Sequence, residues 1–146
     1  MKSRLLGAVT VLLLVASSGV GARAEDVVAV VSAKSPVTAL NTAQVADIFL
    51  GKTSRFPDGS QAVPIDQGED SPSRDRFYAQ FTGKSAAQVK AHWSKIIFTG
   101  RGQPPRQAAT GQEARRLVAE NPNAIGYIDA SLVDSSVRVL GSGAAP

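Results

Sequence analysis

The sequence contains no cysteine. Disulfides, thiolate metal sites, thiol nucleophiles and a lipid-modified N-terminal cysteine are therefore excluded. Histidine occurs once, so a transition-metal site would lack its usual ligands, and neither a metal nor a cofactor is expected. No Walker loop, nucleotide-binding glycine fingerprint or supported Ser/His/Asp set is present, and the acids are scattered. These absences argue against an enzyme. Long hydrophobic runs are also missing. The longest, Leu5 to Ala16, is well short of the ~20 apolar residues that span a bilayer.

That run is nevertheless informative. Lys2 and Arg4 precede it, small and polar residues follow, and Ala22-Arg23-Ala24 forms an A-x-A site before Glu25. Residues 1–24 read as a secretory signal peptide, which places the remainder in the periplasm or outside the cell, without stable membrane insertion. The whole chain carries 16 basic and 12 acidic residues. Lys2, Arg4 and Arg23 lie in the signal, leaving 13 against 12, a net charge of +1. A general attraction to nucleic acid is not expected from so small an excess.

What remains is the size of one domain, residues 25–141, with a flexible tail at 142–146. Val27 to Val31 is a continuous apolar run, suited to a strand buried on both faces. Asn41 with Gln44 forms a capping box, Leu40 and Val45 a hydrophobic staple, and Gly51 a stop for the helix between. Ala62 to Asp66 reads as a strand in which Pro64 marks an edge or an end. Ser71 and Pro72 open a second helix carrying Phe77, Tyr78 and Phe81; Ser85 with Gln88 opens a third carrying Val89, Trp93, Ile96 and Ile97. Thr110 with Glu113 forms another capping box. Ile125 to Ile128 and Val137 to Leu140 complete the strands. Such alternation predicts an α/β sandwich around one mixed or parallel sheet flanked by helices.

Three segments carry a family resemblance. VADIFLGK at 45–52 with RFPD at 55–58, and NAIGY at 123–127, are similar to segments of the periplasmic phosphate-binding, PstS-like substrate-binding proteins of ABC importers. Between them, Asp70 to Phe77 stands where those proteins open a helix with a Ser-Gly-Thr signature. The resemblance implies a single lobe of a type II periplasmic-binding-protein-like fold. It further implies phosphate or a related small oxyanion as ligand and ABC importer subunits as partners. Ser71 and Ser73 match the Ser and Thr of the signature, Pro72 replaces its Gly, and Gln67 falls at the position of a phosphate-binding arginine.

Candidate ligand contacts follow from the residues as well. A helix starting after Ser71 offers free N–H groups and a positive dipole end. Ser71 and Ser73 can donate to an oxyanion, Arg74 can add charge-assisted bonds, and Gln67 can hydrogen-bond. Arg101, between two glycines, supplies charge in a loop that backbone can approach. Ser35 follows the first strand, where ligands of open α/β sheets gather. The alternative function is an interaction module of the same fold that contacts a protein partner or self-associates, because one lobe holds only half a cleft.

Overall fold

The structure, a computed structural model, describes residues 26–141. The signal expected at 1–24 and the tail expected at 142–146 lie outside the described residues. Among the described residues five strands and four α-helices follow in the order β1 (Val27–Ser32), α1 (Thr42–Phe49), β2 (Val63–Gln67), α2 (Pro72–Thr82), α3 (Ala86–Phe98), β3 (Arg106–Ala108), α4 (Gly111–Glu120), β4 (Ala124–Asp129) and β5 (Val137–Gly141), with a short 3-10 helix (Ala130–Leu132) between the last two. The sheet order is β3-β2-β4-β1-β5. β2 runs parallel to both neighbours, whereas β1 is antiparallel to β4 and β5.

Helices cover both faces, and this explains why every residue of β1 is buried. Alternate residues serve opposite layers, as a strand's period of two requires. Val27, Ala29, Val31, Ile125 and Tyr127 join the core beneath α1, α2 and α3. Val28, Val30, Ala124 and Ile128 join Ala114 and Val118 of α4 on the other face. Gly126 allows that helix to sit close: a Cβ there would lie 2.6 Å from Val118 Cγ2.

The helix starts behave as their side chains dictate. Asn41 and Ser85 form reciprocal capping boxes with Gln44 and Gln88. Ser71 accepts from the Arg74 N–H with Pro72 in the first turn. At Thr110 the expected box is only half made. Thr110 Oγ1 accepts from Glu113 N, but the Glu113 carboxylate accepts from Ala109 N at 2.8 Å and so tethers β3 to the helix.

Further expectations are corrected. Pro64 does mark a strand beginning, but β2 is interior; pairing to β3 starts at Ile65, so the missing N–H falls before that ladder. The 99–106 connection ends in a three-residue strand, β3, that begins at Arg106 and runs to Ala108. Ile97 is 53% exposed rather than core. Val89 and Trp93 are buried and Ile96 packs against the core, so α3 touches it with a narrow stripe that leaves Ile97 outside. His92, half-buried as its position off the stripe suggests, places Nε2 2.7 Å from the Leu50 carbonyl oxygen, linking α3 to the end of α1. Among the described residues no helix is long and apolar enough to cross a membrane, and no group of three acids or histidines could hold a metal.

Candidate functional site

The carboxyl ends of the parallel strands β2, β3 and β4 converge at Gln67, Ala108 and Asp129. Two helices begin here, α2 after β2 and α4 after β3. Between them lies a pocket of about 370 Å³ lined by Gln67, Asp70, Ser71, Ser73, Thr110 and Asp129, among others. The first N–H groups of a helix have no intrahelical partner and its dipole is positive there. Two such ends face this one cavity.

Local chemistry holds the lining side chains. Ser71 Oγ donates to Gln67 Oε1 at 2.8 Å while capping α2, and Gln67 Nε2 donates to the Tyr127 carbonyl at 2.9 Å. Ser73 Oγ donates to Asp129 Oδ1 at 2.7 Å. Arg76, one turn further on α2, reaches the same carboxylate oxygen at 3.1 Å and Ser73 Oγ at 3.3 Å. The pair is semi-exposed, with side chains 39% and 30% accessible, so solvent screens much of its attraction.

Behind this pocket lies a buried polar cluster centred on Asp66, 1% exposed. Tyr78 donates to its Oδ2 at 2.6 Å, the Tyr127 hydroxyl donates to Oδ1, and Gln67 N–H donates to Oδ1 at 2.8 Å. Arg74 Nε lies 3.5 Å from Oδ1, and the guanidinium sits over the Tyr78 ring at 5.1 Å. Burial first, then the negative charge of Asp66, pushes both phenols well above the ordinary tyrosine pKa. Phe77 stacks on Tyr127 with centroids 4.0 Å apart. Asp66 thus ties β2, β4 and α2 together directly beneath Gln67 and Ser71.

The six sequence candidates therefore separate. Gln67, Ser71 and Ser73 are brought together in the pocket. Arg74 turns inward to Asp66 and does not line it. Ser35 lies at the opposite end of the sheet, because β1 runs antiparallel to β4 and its carboxyl end sits beside the start of β4. There its hydroxyl accepts from Val37 N, and its carbonyl accepts from Arg138. Arg101 lines a different cleft, near the start of β2. Sequence reasoning missed Arg76, Asp129 and the α4 start. The i, i+3 spacing of Ser73 and Arg76 and the position of Asp129 ending an apolar strand were available signals.

Several solved structures share this architecture. A phosphate ABC transporter substrate-binding protein with bound phosphate from Clostridium perfringens superposes with a TM-score of 0.63 at 24% identity, over 79% of this chain and 44% of that one. An ABC-type phosphate transport receptor from Vibrio cholerae gives 0.62 at 21% identity, over 79% and 45%. PstS from Borrelia burgdorferi gives 0.55 at 15%, over 79% and 46%. The fold is that of the PstS-like phosphate substrate-binding proteins. The chain spans less than half the length of these neighbours. No protein-family model and no curated protein matches the sequence.

Proposed function

We propose that this PstS-like domain binds phosphate or a related small oxyanion as a substrate-binding component of an ABC importer. The observation that carries the reading is the pocket in which two helix N-termini meet beside Ser71, Ser73 and Gln67. An anion there takes backbone N–H groups, two hydroxyls and an amide, and Arg76, outside the lining, is held against Ser73 and Asp129. The fold likeness to a protein with bound phosphate supports the same ligand class.

Asp129 sharpens the choice of anion. It is one of two carboxylates in the lining, with Asp70; such groups repel a fully ionised oxyanion but accept a hydrogen bond from one that still carries a proton. Phosphate and arsenate keep such a proton at neutral pH, and sulfate does not. In this reading Ser73 and Arg76 turn from Asp129 to the ligand on binding. A thermal-shift panel of phosphate, arsenate and sulfate tests it, with stabilisation expected for the first two only. No response to any of the three would overturn it.

Residues 1–24 direct export in this account, giving a periplasmic or secreted product that begins near Glu25. N-terminal sequencing of exported protein checks that start. The second reading, an interaction module, draws on Phe98, which is 93% exposed at the end of α3, since exposed apolar surface marks contact sites.

A further inference from the structure

A larger cleft, about 720 Å³, lies at the opposite end of the parallel strands, among the α1–β2 connection, the end of α3 and the approach to β3. Lys52, Arg55, Arg101 and Arg106 line it together with Trp93 and Ile96, and no carboxylate does. The four cations are exposed, and none is in an ion pair among the described residues. The Arg55 guanidinium donates to the Gly59 carbonyl at 2.8 Å. With a net charge of only +1 beyond residue 24, four cations in one cleft form a local positive field, with Asp47 the carboxylate of the adjoining pocket that Arg55 also lines.

We propose that this face docks an extended acidic segment of a partner protein, its carboxylates against Lys52, Arg55, Arg101 and Arg106 and an apolar side chain against Trp93 and Ile96. Three features favour a polypeptide over a lone anion. The charges come from two separate stretches of chain, 52–55 and 101–106, around a space far larger than one oxyanion. Trp93 and Ile96 of α3 place apolar side chains in the lining itself, beside the cations. Isolated small anions gain nothing from such residues, whereas protein interfaces combine an apolar centre with complementary charge. Finally, β3 is an edge strand with no further strand partner among the described residues, so backbone beside Arg106 is open to an added chain. The inference is independent of the oxyanion pocket, since the two linings share no residue.

Trp93 is the sole tryptophan, so its emission reports this cleft. The probe is an acetylated, amidated Asp-Glu-Phe-Glu-Asp peptide, compared with its Asn-Gln-Phe-Gln-Asn counterpart and with inorganic triphosphate. The acidic peptide should change Trp93 emission saturably, and 0.5 M NaCl should weaken the response as charges are screened. The double variant Arg101→Glu/Arg106→Glu should lose at least about tenfold in affinity, and Arg101→Lys/Arg106→Lys should retain it. Both side chains are exposed, and a cooperative melt verifies that each variant folds. Equal binding of the amide peptide, unchanged affinity in the charge-reversed variant, or no response to the acidic peptide would each overturn the proposal. A saturable response to triphosphate without one to the peptide would also overturn it, by assigning the cleft to a small polyanion.

Discussion

The buried phenols give a sharp expectation at alkaline pH. Tyr78 and Tyr127 are the only tyrosines in the chain, and each is about 1% exposed or less and hydrogen-bonded to Asp66. Their folded pKa values are raised by burial and by the Asp66 charge. In the unfolded chain each ionises near pH 10. Above that pH the unfolded state binds fewer protons than the folded one, so stability falls as pH rises. Below it the contribution is fully present. Each phenol costs about 1.4 kcal/mol per pH unit in this window, roughly 5 kcal/mol for the pair by pH 12. That is a large part of a typical 5–15 kcal/mol domain stability. The assay is tyrosinate absorbance at 295 nm, followed with far-UV circular dichroism and Trp93 emission. Absorbance should stay flat while the fold persists and rise only in step with unfolding. A tyrosinate transition near pH 10 in protein that remains native by the other two signals would refute the buried network.

Four other expectations can be checked by mutation. Asp66→Asn should cost about 3–5 kcal/mol in urea unfolding, because the buried Arg74 loses its counter-charge. Adding Arg74→Met should recover part of that loss, whereas additive losses would contradict the pairing. Gly126→Ala places a Cβ 2.6 Å from Val118 Cγ2, so a loss of about 1–3 kcal/mol is expected from overpacking between β4 and α4. Gly51→Ala meets both a positive φ of 73° and the Trp93 ring at 2.7 Å; it should lower the melting temperature and alter Trp93 emission, at about 1–2 kcal/mol for the left-handed backbone alone. Asn41→Ala removes a reciprocal cap and should cost about 0.5–2 kcal/mol, with little effect on oxyanion response at the far pocket.

Local signals made much of the fold legible. Each helix start is written in a short polar side chain followed three residues later by the N–H it caps, and those interactions span one turn. β1 declared its burial on both faces through an unbroken apolar run. Strand direction was not legible, because the same run serves a parallel or an antiparallel ladder equally well. That single ambiguity hid that the carboxyl end of β1, with Ser35 after it, lies opposite the carboxyl ends of β2, β3 and β4. β3 escaped notice because three residues carry no period. Arg74 illustrates the limit at the site: its place in the first turn of α2 suggested a ligand contact, but Asp66, eight residues earlier, offers a buried counter-charge that only tertiary packing reveals. Ser73 and Asp129 meet across 56 residues, a separation that no local pattern encodes.

The account rests on the pocket between the starts of α2 and α4, and calorimetric titration with phosphate tests it most directly. At a phosphate concentration about a hundredfold above Kd, a parallel melt should gain about 2.7 kcal/mol of stability. Binding of phosphate but not sulfate, abolished by Ser73→Ala with Arg76→Ala and unchanged by Arg101→Ala, is the expected result. Equal binding of sulfate, or phosphate binding that survives the first pair of changes and disappears with Arg101→Ala, would contradict the account.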